Sequence, residues 1–487
     1  MKESLSRKLS FGIFYLLSSS VFSLALNAIT VGFIARSLGV ESFGLYSTIY
    51  SFVGLFQFLT DFGLNKSLLR TGSTDRTKAQ INFGNALFLK AILIIPTILL
   101  VTFFGFLTGY RNEQIIILEL FALSLIFDSF ATVFSSIRRI FGNFRLISFF
   151  RVLRTAINLG IIYIALSVKN SVLNLACAVA ILSFIIFVIS LTNTILLLKP
   201  KLRLSLIRDF FKDSLIFSLS DFFLNIYGRI STVLLSFYHD MYSVGIYGAA
   251  LRFTRIANLL PAQVKFALLP TMYRIINNEK KEVNDTEYQN SKRVFIILIK
   301  YMVVFATPLS MIVYFFSEPI IHMIFGEKYD LSIPLVQFFS FFIYLRFIET
   351  PFTLFYMALH KHKNLVWFQG ITTLVNVVLN LMLIPTLSIF GACYATLISE
   401  SILALMLITI GRKYKIWGLR NILAIFWKPT LGGILGLLLS NAFLNDLNII
   451  LKSLTFFLIY TILLFALQLF NKSDKELFLK IFRTVKT

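Results

Sequence analysis

Lys90, Arg229, Arg252, Arg255 and Arg346 lie deep within long apolar runs of this 487-residue sequence, and Lys265 and Lys300 lie nearer the ends of theirs. A mid-bilayer arginine costs about 2.5 to 3.5 kcal/mol on insertion scales, so each such residue calls for water, a counter-charge or an anionic ligand. Lys265 and Lys300 are close enough to a boundary to snorkel. Ser218, Asp221, Asn225, Arg229 and Thr232 recur at spacings of three or four, which keeps them on one face of a helix. Arg252, Arg255 and Asn258 form a second stripe on the next apolar run. Asp221 and Arg229 stand about 12 Å apart along a helix axis, too far to pair directly.

Two readings of these cations stay open. In one, Asp221, Glu349 or Glu400 neutralises the arginines internally. In the other, Arg229, Arg252 and Arg255 line a wet cavity and bind an anion, with Asn225, Lys90 and Arg346 as further binding candidates. The planar fork of arginine suits a diphosphate because it donates bidentately. The acids Asp61, Asp128, Asp221, Glu349 and Glu400 are candidates for carrying a proton or sitting beside a sodium ion.

The elements that must position these groups are helices in lipid. Of the residues, 57% are hydrophobic, 54 are Phe, and the mean hydropathy is +0.82, more apolar matter than a soluble core of this size encloses. A crossing needs roughly 20 apolar residues, and fourteen stretches qualify: 11–34, 43–65, 82–107, 115–137, 146–168, 172–198, 214–238, 244–266, 294–316, 334–358, 365–387, 390–410, 422–444 and 449–470. Of 46 lysines and arginines, 34 fall in eight alternate gaps and five in the intervening ones, Arg36, Arg111, Lys169, Lys328 and Lys452. Cytoplasmic loops retain Lys and Arg, so the expected fold is an all-α integral membrane protein with fourteen transmembrane helices and both termini cytoplasmic. The net charge of +23 is therefore topogenic and does not point to nucleic acid.

Phe43-Gly-Leu-Tyr46 and Val244-Gly-Ile-Tyr247 match at an offset of 201, Pro96 and Pro308 at 212, and the segments around Cys177 and Cys393 at 216. The growing offset suggests a parallel repeat: a lobe over residues 1–198, a second over 199–411, and two extra helices with a tail over 412–487. Two lobes that both start inside imply a substrate cavity that opens to either side by rocking. No Gly-x4-Gly-Lys-[Ser/Thr] phosphate loop occurs. Two histidines around Lys361, His360 and His362, make a poor metal site, and Cys177 and Cys393 fall within apolar runs, so neither metal nor disulfide is expected.

Four segments resemble the Wzx-like polysaccharide flippases of the multidrug/oligosaccharidyl-lipid/polysaccharide exporter superfamily: Ala35 to Ser47, Asp61 to Arg70, Ile324 to Gln337 and, most specifically, Asn376 to Glu400. The resemblance implies a non-enzymatic transporter of the bacterial cytoplasmic (inner) membrane. It implies translocation of a lipid-linked oligosaccharide, carried on a polyprenyl diphosphate, for surface-polysaccharide synthesis. Alternating access without a bound cofactor, proton- or sodium-gradient coupling, and a polysaccharide polymerase and glycosyltransferases as partners beside the membrane lipids come with it. The rival readings are a lipid-linked peptidoglycan-precursor flippase, a multidrug/cation antiporter, whose cavity would call for acids, and a membrane glycosyltransferase or polymerase, which would need a large external loop.

Overall fold

Lipid offers backbone N–H and C=O groups no partners, so apolar runs of this length must satisfy themselves as helices. In the computed structural model they do. It describes residues 2–469 apart from 74, 111, 256–257, 259–260, 266–267, 270–271, 273–284, 360, 414–418, 444–448 and 468. His360, most of the basic gap that begins at Arg274 and the basic tail from Lys472 lie outside the described residues. Among the described residues all regular structure is helical: α1 (Lys2–Leu55), α2 (Leu64–Gly72), α3 (Arg76–Leu107), α4 (Asn112–Ile140), α5 (Phe144–Val168), α6 (Val172–Ile195), α7 (Ile207–Tyr238), α8 (Met241–Leu251), α9 (Asp285–Phe315), α10 (Ser317–Ile324), α11 (Ser332–Ala358), α12 (His362–Lys413), α13 (Leu419–Phe443) and α14 (Ile449–Ala466). These labels are not a count of crossings.

Two helices run through expected loops. The stretches 11–34 and 43–65 join through Gly39, whose φ of 75° only glycine adopts readily. The stretches 365–387 and 390–410 join through Ser388, at φ 51° and ψ −127°. The joined apolar segments Ser18–Thr60 and Lys363–Thr409 are 43 and 47 residues long, each enough for two crossings of about 20 residues. The second expected stretch is instead interrupted: α1 gives way to a 3-10 turn over Phe56–Thr60, then Phe62 and Gly63 take positive φ before α2 begins. A side chain at Gly63 would meet the Ser214 carbonyl at 2.4 Å, so the break brings the chain hard against α7.

The chain forms two compact units. The first comprises Phe11–Gly248 with Gln369–Ala395, and the second Ala249–Phe368 with Thr396–Thr487 and Met1–Ser10. This partition follows contacts, whereas the lobe boundaries at 198 and 411 follow the repeat and are a separate statement about the chain. Leu64, Leu68, Phe83, Val133, Phe134 and Phe210 build a core of the first unit from α2, α3, α4 and α7. Phe295, Phe352, Phe355 and Leu407 centre one in the second, from α9, α11 and α12.

Within the first unit the end of α1 crosses α8 backbone to backbone. A Cβ on Gly44 would lie 1.8 Å from the Met241 oxygen, and one on Gly245 would lie 2.2 Å from the Val40 oxygen. The offset of 201 maps Val40 onto Met241 and Gly44 onto Gly245, so these are one contact made twice, as a local two-fold axis requires. Asp240 precedes α8, and hydrogen bonds from the Ser243 hydroxyl and amide hold its carboxyl below the usual range.

Candidate functional site

The break at Phe56–Gly63 sets the charges of the first unit. It leaves Asp61 beside α3 and α4, and Lys90 of α3 donates to Asp61 Oδ1 at 2.6 Å, to Ser129 Oγ at 2.7 Å and to the Ser129 carbonyl at 3.0 Å. All three ammonium protons are thereby used, and the side chain is fully buried. Asn65 donates to Asp61 at 2.5 Å and to Thr132 at 2.8 Å, closing the node. Asp128 on α4 receives Arg154 of α5 on both oxygens at 2.7 Å.

A second set of polar contacts runs down the face of α7 toward α1 and α2. Asp213, Asp221 and Arg229 follow one another at eight residues, a step that turns about 80° around the helix, so the contacts and not the spacing assign them to their neighbours. Arg70 meets Asp213 at 3.2 Å and Lys66 meets Asp221 at 2.5 Å. Arg229 donates to the Tyr50 carbonyl at 3.3 Å and Gln57 Oε1 at 3.1 Å, and its guanidinium stands 5.4 Å from the Tyr50 ring centroid. Gly54 leaves the room for it, since a Cβ there would lie 2.0 Å from Arg229 Nη1. Among the described residues the partners of Arg229 are all neutral. Asn225 donates to the Asp221 carbonyl at 2.8 Å, so its amide serves its own helix.

In the second unit Arg346 of α11 is gripped by acids. It meets both oxygens of Glu400, donating to Oε2 at 3.1 Å, and approaches Glu349 at 3.7 Å, with its guanidinium 5.2 Å from the Phe342 ring centroid. Glu349 and Glu400 are buried, at 4% and 0% exposure, and Lys265 lies within electrostatic reach of all three. Among the described residues no group of three His, Cys, Asp or Glu is placed to hold a metal.

The expected stripe of Arg252, Arg255 and Asn258 needs correction. α8 ends at Leu251, and Arg252, Phe253 and Arg255 donate to carbonyls three residues back, at Ala249, Ala250 and Arg252. This tighter turn, which apolar composition alone does not signal, puts Arg252 at a helix break and not on a continuous helical face. Arg229 belongs to the first unit, Arg252 and Arg255 to the second.

Lys66 and Arg70 escaped the sequence reading because they sit in a topogenic basic gap. A usable signal was present: two cations four apart after the break, and two acids eight apart on α7.

A family profile described as polysaccharide biosynthesis protein matches residues 9–276. Among solved structures, lipid II flippase MurJ in an inward closed conformation superposes with a TM-score of 0.71 at 19% identity, covering 92% of this chain and 97% of that one. An inward-facing multidrug resistance MATE family transporter of the MOP superfamily gives 0.59 at 15%, covering 82% and 98%. A MOP superfamily transporter from Pyrococcus furiosus, described as having a binding pocket of reverse polarity, gives 0.57 at 16%, covering 83% and 95%. No curated protein matches the sequence.

Proposed function

We propose, on the premise that this chain belongs to the polysaccharide biosynthesis protein family, that it moves a lipid-linked oligosaccharide on a polyprenyl diphosphate from the cytoplasmic to the outer leaflet of the cell membrane. Membership rests on residues 9–276, more than half of the chain. The chain is a multi-pass membrane protein with the fold of membrane flippases and transporters. The cargo, the inner membrane as its location, gradient coupling, and polymerase and glycosyltransferase partners make up the finer reading.

The observation that carries it is Arg229. A guanidinium in the apolar stretch 214–238 whose partners are a carbonyl, an amide oxygen and a ring has no counter-charge among the described residues, and an anion is what offsets the cost of an arginine placed in the bilayer. A diphosphate presents paired oxygens to the guanidinium fork. Arg252 and Arg255, in the other unit, enter the reading only as cations expected from the sequence. Alternating access then moves a charge that bare lipid would exclude, and no covalent step is required. All five acids hold a basic partner, Lys90, Arg154, Lys66 or Arg346, so a coupling ion would have to exchange with that partner.

The test is reconstitution of purified protein in liposomes with a polyprenyl-diphosphate oligosaccharide, scoring leaflet transfer. Arg229→Ala should lower transfer tenfold or more, since a charge-assisted hydrogen bond is worth about 1.5 to 3 kcal/mol. Arg229→Lys should restore it only in part. Full transfer by a variant lacking Arg229, Arg252 and Arg255 would sink the reading. A lipid-linked peptidoglycan precursor carries the same diphosphate, and competition between the two lipids in this assay decides which glycan the protein accepts.

A further inference from the structure

We infer that Lys66 and Arg70 form an entry subsite for the diphosphate headgroup, occupied in this structure by the tethered carboxylates of Asp221 and Asp213, which an incoming diphosphate displaces. The inference rests on the headgroup reading above and extends it to residues outside the arginine set.

Lys66 and Arg70 are four apart on α2, on one face and one turn from each other. Like charges in that relation repel. Here the repulsion is offset from the facing helix, Asp221 taking Lys66 at 2.5 Å and Asp213 taking Arg70 at 3.2 Å. Two anionic oxygens thus lie on two adjacent cations, and a diphosphate supplies the same two charges from one molecule. Arg70 also rests 5.4 Å from the Phe217 ring centroid, which orients its fork.

Exposure separates these pairs from those of Lys90 with Asp61 and Arg346 with Glu400. The side chains are 47% and 23% exposed for Lys66 and Asp221, and 51% and 56% for Arg70 and Asp213. Pairs as open as these contribute little net stability, so exchanging one anion for another is cheap. The helices need not part. Gly63 lies against the Ser214 backbone, and Phe58 packs on Phe222 with ring centroids 4.9 Å apart, so α2 and α7 stay in register while the charged side chains swing. Asp61, held by Lys90 and Asn65, is an acid that interacts with Asp221, and its charge repels the Asp221 carboxylate. Beyond Lys66, Arg229 lies eight residues further along α7 than Asp221, about 12 Å away, which gives the headgroup a next cation. The topology expected from the basic gaps puts the gap 66–78, and with it the Arg70 end, on the cytoplasmic side, from which the proposed transfer starts.

The test measures binding of geranylgeranyl diphosphate to the full chain in uncharged detergent, with inorganic diphosphate as competitor. Lys66→Gln with Arg70→Gln should weaken binding about tenfold or more. Asp213→Asn with Asp221→Asn should tighten it, because the tethered competitors are gone. Opposite signs are the signature, since purely structural ion pairs would give losses of the same sign. A fourfold variant carrying all four substitutions leaves no unpaired charge and guards against misfolding; it should bind as weakly as the Lys66, Arg70 variant. Binding at the wild-type level in the fourfold variant, equal effects of the two double variants, or failure of inorganic diphosphate to compete each overturns the entry subsite. Binding lost with Arg229→Ala but indifferent to Lys66 and Arg70 overturns it while sparing the headgroup reading, and no binding by the wild-type chain overturns both.

Discussion

Lys66 and Lys90 hold their aspartates at nearly the same length, 2.5 and 2.6 Å, yet the Lys66 side chain is 47% exposed and that of Lys90 is 0%. The Arg346 cluster repeats the closed case in the second unit, with Glu349 and Glu400 both buried. An ion pair sealed from water has paid its desolvation on folding, and removing one partner strands the other charge in a medium that cannot solvate it. An open pair strands nothing, because water takes the place of the lost partner. The closed pairs therefore fix helices to one another, while the open ones are free to change partners. Distance alone does not separate the two kinds of pair; the burial of the cation does.

The largest effect should come from Arg346→Ala, which leaves two buried carboxylates facing each other. A loss of about 3 to 5 kcal/mol is expected for breaking a buried pair, read as a large fall in thermal midpoint in detergent and in folded yield. Adding Glu349→Gln and Glu400→Gln should recover most of it, because the amides remove the stranded charge. An Arg346→Ala protein as stable as wild type would mean that water reaches the cluster, and the division between closed and open pairs would fail in the second unit.

Lys90→Met should cost somewhat less, about 3 kcal/mol, since Asp61 keeps Asn65 as a donor and is 21% exposed. The accompanying loss of leaflet transfer should follow the loss of folded protein, with no change in the transfer rate of the molecules that remain folded. A specific fall in transfer by well-folded Lys90→Met would place Lys90 on the substrate path after all.

How far the sequence alone reaches differs between these regions. Apolar run length and the alternation of basic gaps lead to the helices, because lipid leaves the backbone no other option. The resemblance carried by Asn376 to Glu400 points to the superfamily fold found by structural superposition. The offset of 201 shows again as the reciprocal crossing of Gly44 and Gly245. Partners across helices are another matter. Lys66 and Asp221 are 155 residues apart, and in helices apolar on nearly every side, hydrophobic periodicity does not fix which face meets which neighbour. The break after Leu251 is hidden for a related reason: Arg252 and Arg255 suit a helix as well as a turn. The intramembrane charges are legible as residues that must be compensated, but the compensating groups become visible only with the fold.

The smallest effect is the one that sharpens the comparison most. A double-mutant cycle on Lys66→Gln and Asp221→Asn should give a coupling of no more than about 1 kcal/mol to stability, shrinking as salt is added. The parallel cycle on Lys90→Gln and Asp61→Asn should give a coupling several-fold larger and nearly indifferent to salt, because counter-ions cannot enter a node with no exposed ammonium. Both cycles are read from the same unfolding midpoints, and the variants are close in size to the residues they replace, so packing changes largely cancel. If the two couplings are equal, burial in the first unit does not govern the strength of its ion pairs. The exchange of Asp221 for a diphosphate would then cost as much as breaking the Lys90 node, and Lys66 would be a strut between α2 and α7 with no part in receiving the headgroup.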